Sequence, residues 1–125
     1  MPDASFSYAV LRVVPRVERG EAINAGVVVF SRQHDFLGMR AELDEGRLAA
    51  VDPECDPGPI RERLAALEVV VAGGDGGALA ALPASDRFGW VTAPSSTVIQ
   101  PSEVHTGMTA DPKATLDHLL EMLVA

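Results

Sequence analysis

Two arginines lie in segments whose composition is typical of β-strands. Arg12 follows Tyr8 at an even spacing, and Arg40 lies in a later alternating segment. Charged side chains in the middle of strands usually face solvent, pair with acids or bind anions. The period of two predicts that both guanidinium groups lie on one sheet face, where they can bind carboxylate or phosphate. The alternative is that they pair with Glu21 and Glu42 in a structural network.

A hydroxyl-rich segment, residues 92–107, contains Gln100, Ser102 and His105. Loops with prolines, a glycine and many projecting polar groups often bind ligands. The same residue types also satisfy their own backbone through Ser and Thr turns, so both interpretations stay open. If residues 96–100 pair with the first strand as a late strand, Gln100 and His105 reach the face that carries the arginines.

Three familiar chemical motifs are incomplete in this sequence. Ser102, His105 and Asp111 have the residue types of a hydrolytic triad, but no Gly-x-Ser-x-Gly elbow accompanies them. His105, Asp111 and His118 lack the paired spacing of metal ligands on a helix. The glycine run 73–77 is not followed by the Lys-Ser/Thr of a phosphate-binding loop. We therefore expect no catalytic residue, no metal and no cofactor.

Charge and cysteine content exclude several classes of protein. The formal net charge is -8 and Lys113 is the only lysine, which opposes general nucleic-acid binding. Cys55 is alone and is flanked by Asp52, Glu54 and Asp56, which raise a thiol pKa and disfavour a nucleophile. No signal peptide or membrane span is evident, so we expect a cytoplasmic protein that does not bind membranes.

The predicted strands are short and close together along the chain. Segments 7–17, 23–32 and 36–43 are rich in apolar residues and joined by short polar links, which predicts an antiparallel meander. The valine run 27–29 predicts a strand covered on both faces. Residues 96–100 predict the late fourth strand.

Helical segments follow the meander and end the chain. Asp44, Asp56 and Asp111 each precede such a segment and predict N-caps. The predicted core stripes are Ile60, Leu64, Leu67 and Val71, and Leu116, Leu119, Leu120 and Leu123. We expect an α+β fold in one domain over residues 1–125: an antiparallel sheet of about four strands, with two main helices packed on one face. The opposite face, with Tyr8, Arg12 and Arg40, would stay open.

The sequence resembles a bacterial family, domain of unknown function 3037, in five segments: residues 8–21, 23–30, 36–40, 96–102 and 104–107. The resemblance spans nearly the whole chain and implies no particular reaction. Genes of this family often lie beside one for a HipA-like kinase, which implies a binding or accessory role with a protein partner. The resemblance implies ten positions of the family pattern: Tyr8, Arg12, Pro15, Glu21, Asn24, Gly26, Arg40, Gln100, His105 and Gly107.

Two functions remain open at this point. The first is a non-catalytic binding or accessory module that recognises an anionic ligand or a kinase-type partner. The second is a small enzyme on an anionic or phosphorylated substrate, with His105 as general acid/base. In either case the predicted binding residues are Tyr8, Arg12, Asn24, Arg40, Gln100, Ser102 and His105.

Overall fold

The chain folds into a five-stranded antiparallel sheet and four helices. The computed structural model describes residues 2–125. The predicted α+β class is therefore confirmed. The elements are β1 (Ala4–Val13), β2 (Ile23–Ser31), β3 (Phe36–Ala41), α1 (Glu45–Val51), α2 (Pro57–Ala72), α3 (Ala84–Val91), β4 (Ile99–Pro101), β5 (His105–Thr109) and α4 (Pro112–Leu123).

Strand β1 is the centre of the sheet. On one side it pairs with β2, which pairs in turn with β3, as the predicted meander requires. On its other side, β1 pairs with β4 near its end and with β5 near its beginning. Two short strands thus share one edge of a long one. The chain between them stays beside β1 at Ser102, whose backbone N–H donates to the Val10 carbonyl at 2.8 Å.

The late part of the chain differs from the prediction. The fourth strand covers Ile99–Pro101 instead of 96–100, and the fifth strand and helix α3 were not predicted. Strand β5 carries a glycine and few β-branched residues, so its own propensity is weak. It forms because β1 offers it a complete antiparallel ladder.

Helices cover both faces of the sheet, and this corrects the predicted position of the two main helices. Val28 packs with α2 and α3, whereas its neighbours Val27 and Val29 pack with Leu116 and Leu120 of α4. Successive strand residues point to opposite faces, so α2 and α4 lie on opposite sides. All three valines are buried, which confirms the prediction of a strand covered on both faces. The spacing of apolar residues in a helix shows which face of the helix is buried. It does not show which face of the sheet the helix packs against.

The predicted helix caps are confirmed. Side-chain oxygens of Asp44, Asp56 and Asp111 accept hydrogen bonds from backbone N–H groups in the first turns of α1, α2 and α4. Helix α2 ends at Gly73, whose φ of 77° is a left-handed conformation that favours glycine. Among the helices of residues 2–125, none is long and apolar enough to cross a membrane.

The predicted helix stripes contribute to the core, most of whose other residues come from the strands. Leu64, Leu116 and Leu120 are buried. Leu67 is only half-buried, and it packs against two clusters of the core. The stripe positions are therefore correct, although the two helices contribute to separate layers.

Candidate functional site

A small polar cleft lies beside β1 on the face that α4 partly covers. Its volume is about 260 Å³. Alternation along β1 brings Tyr8, Val10 and Arg12 to the same side. We call it the Arg12 cleft, and its lining residues are Tyr8, Val10, Arg12, Asn24, Ser102, His105 and Leu123. The structure therefore brings together five of the seven residues that the sequence predicted for binding.

Arg12 lies at the end of the cleft where three strands meet. It is opposite Asn24 on β2 and opposite Gln100 on β4. The side chain is exposed and makes no hydrogen bond or ion pair with any residue in the range 2–125. Its predicted structural partner, Glu21, pairs instead with Arg19, and that hydrogen bond raises the pKa of Arg19.

Arg12 differs from most of the basic residues in having no interaction partner among the residues that the structure describes. Ten residues are Lys or Arg and one of these is Lys113, which leaves nine arginines. Within residues 2–125, only Arg12 and Arg63 lack a partner. Five of the other seven pair with carboxylates: Arg16, Arg19, Arg40, Arg47 and Arg61. Arg87 donates to backbone carbonyls, and Arg32 lies over the Phe30 ring.

Asn24 joins the cleft to the end of α4. Its Nδ2 donates a hydrogen bond of 2.9 Å to the backbone carbonyl of Leu123, in the last turn of α4. The carboxyl end of a helix carries partial negative charge from its unpaired carbonyls. Asn24 occupies one of these carbonyls, and it also lines the cleft.

Tyr8 and His105 form the aromatic wall of the cleft. They are opposite each other in the β1–β5 ladder, and their ring centroids are 5.2 Å apart with 37° between the ring planes. Phe6 stacks on the other side of Tyr8, at 5.9 Å. His105 is exposed, and no side chain of the described residues hydrogen-bonds to its ring. Its orientation therefore comes from stacking alone.

Ser102 has a structural role in addition to its place in the cleft. Its Oγ accepts a hydrogen bond of 2.9 Å from the Val10 backbone N–H and donates one of 2.9 Å to the Glu103 carbonyl. The hydroxyl thereby replaces the strand carbonyl that is missing in the gap between β4 and β5. The structural alternative drawn for the hydroxyl-rich segment is therefore observed at Ser102, and ligand contact stays a prediction.

Arg40 and Gln100 do not line the cleft. Arg40 lies on the same sheet face as Arg12, as predicted, but this face is not opposite all the helices, because α4 packs on it. Arg40 Nη1 donates to Asp117 Oδ1 of α4 at 2.9 Å. The Lys113 ammonium and the Arg40 guanidinium, in that order, lower the pKa of Asp117. Gln100 Nε2 donates to the Thr97 carbonyl at 2.9 Å, within its own loop.

The structure does not assemble the incomplete motifs. Asp111 caps α4 and the Ser102 hydroxyl bonds to backbone, so neither of them orients His105. Across residues 2–125, no three His, Cys, Asp or Glu side chains are close enough to hold a metal ion. The pKa of the Cys55 thiol is raised, first by burial and then by Asp52 and Asp56, which is the direction that the sequence predicted.

A second and larger concavity was not predicted from the sequence. It has a volume of about 660 Å³ and lies between α2, α3 and the segment 93–97, with Trp90 at its rim. We call it the Trp90 cavity. One signal for it was present in the sequence, since Arg63 lies one helical turn before Leu67 on an otherwise apolar stripe.

The fold and the Arg12 cleft define an α+β protein with a small anion-sized concavity beside its central strand. The family model described as Protein of unknown function (DUF3037) matches residues 8–124, and the chain belongs to this family. The matched range includes every residue that lines the cleft. Comparison with curated proteins and with solved structures gave no match for the chain.

Proposed function

We propose that this protein is a non-catalytic binding module that recognises an anionic group in the Arg12 cleft. The observation that carries the proposal is that Arg12, in the middle of a sheet face, has no partner among the residues 2–125. An arginine that is held by a strand and left unpaired keeps all its donors for a ligand.

The chemistry of the cleft suits a carboxylate or a phosphate. A guanidinium binds either group through two parallel hydrogen bonds. His105 and Asn24 also line the cleft, and both carry N–H groups that can donate to an anion. Sites for whole small molecules usually enclose about 300–1,000 Å³, and the cleft, at about 260 Å³, is smaller. It therefore holds the anionic group of a ligand while the rest of the ligand lies outside.

The acidity of the chain sharpens this recognition. With a formal charge of -8, the protein repels polyanions over most of its surface. Nucleic acids, which need several cations along their length, are therefore poor ligands. A ligand with a single anionic group can instead bind at one local positive site, the Arg12 cleft.

The arrangement supports binding over catalysis. A general acid/base is usually held by a hydrogen-bonded partner that fixes its ring. His105 is held only by its stacking on Tyr8. If the protein were an enzyme with His105 as general acid/base, the substrate itself would have to supply the group that orients the imidazole.

An accessory role with a protein partner is part of the proposal. A phosphate or carboxylate on such a partner would satisfy Arg12, and the HipA-like kinase that the family resemblance implies is the first partner to test. We place this interaction in the cytoplasm, because a chain with a single cysteine has no internal disulfide.

The proposal is tested by titration with inorganic phosphate, followed through backbone amide shifts. We expect saturable shifts in residues 8–12 and 102–105, and their loss in an Arg12→Gln variant. Arg40→Gln is the matched control, because it removes the same charge from the same face but from an arginine that Asp117 already holds. Equal binding by wild type and Arg12→Gln, or stronger loss in Arg40→Gln, would contradict the proposal.

A further inference from the structure

The Trp90 cavity is a candidate ligand site that is separate from the Arg12 cleft. Leu11 and Ile99 form its floor, and residues of α2 and α3 form its walls. Leu11 and Arg12 are neighbours on β1 and therefore face opposite sides of the sheet. The two sites therefore lie on opposite faces of the sheet, and each can be tested with its own variants.

The walls of the cavity are almost entirely apolar. Leu67 and Val70 project from α2, and Val91 and Trp90 from α3. Trp90 is 46% exposed, although an indole is usually well buried in a protein of this size. A cavity of about 660 Å³ with this lining is in the usual range for small-molecule sites.

Arg63 is the only charged side chain in the lining. It also lines an adjoining apolar concavity of about 340 Å³, beside Ile60 and Val98, so it stands between two apolar surfaces. On α2 the positions three and four residues away are Pro59, Ile60, Ala66 and Leu67, none of which is a carboxylate.

Arg63 has no ion pair or hydrogen bond with any other residue that the structure describes, although the chain has 18 acidic residues. The contrast on the same helix is Arg61, which pairs with Glu45. Arg63 is exposed, so its guanidinium at the mouth of the apolar cavity has hydrogen-bond donors from which a ligand carboxylate can accept.

We propose that the Trp90 cavity binds a small amphipathic carboxylate, with its apolar body against Leu67, Val70 and Trp90 and its carboxylate on Arg63. Ser95 and Thr97 add hydroxyls at the same mouth, where their oxygens lie 2.8 Å apart. The single cation of the cavity matches the single charge of a carboxylate. The planar guanidinium also matches the planar carboxylate.

Decanoate, used below its micellar concentration, is a suitable probe, and Trp90 reports on its binding because it is the only tryptophan. We expect a saturable change in Trp90 emission, with shifts of the Ala66 and Val70 backbone amides as a second readout. Burial of two more methylenes should make decanoate bind about tenfold more tightly than octanoate.

Arg63→Gln should weaken decanoate binding about tenfold. The matched control is Arg61→Gln, which makes the same change two residues away on α2 and should bind as wild type does. Decanol should bind wild type and Arg63→Gln equally. The proposal is overturned if neither readout saturates, if decanol binds wild type as tightly as decanoate does, or if the two glutamine variants are equally affected.

Discussion

The Tyr8 and His105 rings face each other across the β1–β5 ladder, with centroids 5.2 Å apart. Nothing but this stacking orients the imidazole among the residues that the structure describes. The ring current of Tyr8 should therefore shift the His105 ring protons upfield. We expect these signals to move towards free-histidine values in Tyr8→Leu and to stay in place in Tyr8→Phe. Identical His105 spectra for all three proteins would show that the rings do not stack in solution.

Asp117 connects α4 to β3 through Arg40, and also accepts a hydrogen bond from Lys113. Because its pKa is lowered in the folded state, the ion pairs stabilise the fold above the usual titration range of an aspartate. That contribution is lost as the pH falls through the lowered pKa. Asp117→Asn should thus be less stable than wild type at neutral pH and equal to it in acid, as measured by urea unfolding. A difference that persists unchanged at low pH would contradict this account.

The packing of α4 is tested with two residues on one helix. Leu116 is 2% exposed and lies against Val27 and Val29, whereas Met122 is 62% exposed. Leu116→Ala should lower the free energy of unfolding by about 2–5 kcal/mol. Met122→Ala should change it by no more than about 0.5 kcal/mol. Similar losses for both variants would mean that α4 presents a different face to the sheet.

Gly107 lies directly over the Phe6 ring, its partner in the β1–β5 ladder. An added Cβ would be 2.7 Å from Phe6 Cε1, so Gly107→Ala must displace a buried ring and should destabilise the protein. Gly89 in α3 has open space around the same position. Gly89→Ala should stabilise the protein by about 0.5–1 kcal/mol, because alanine favours the helix. Thermal unfolding distinguishes the two, and a stabilised Gly107→Ala would be inconsistent with the close contact.

Features that depend on neighbouring residues could be predicted from the sequence. Asp44, Asp56 and Asp111 cap helices through bonds within three residues, and their pattern is visible in the chain. Arg12 was found through alternation, which is also local. Alternation alone predicts Arg40 as a binding residue. Its ion-pair partner, Asp117, is 77 residues away, so no local pattern reveals the pairing.

Features that depend on tertiary contacts could not be predicted. Strand β5 has weak propensity and exists because β1 pairs with it. The faces that α2 and α4 cover depend on how the chain connects them, since both stripes are equally apolar. The Trp90 cavity is formed by segments that come together only in the fold, so its lone Arg63 had no interpretation in the sequence.

The central claim is that Arg12 is a free anion-binding group. The most direct measurement is a crystal structure of the protein soaked in phosphate, with an Arg12→Gln crystal soaked in parallel. The account predicts an anion in the cleft within about 2.7–2.9 Å of the Arg12 guanidinium nitrogens, and an empty cleft in the variant. An Arg12 closed on a protein carboxylate, or an anion at the same place in the Arg12→Gln crystal, would contradict it.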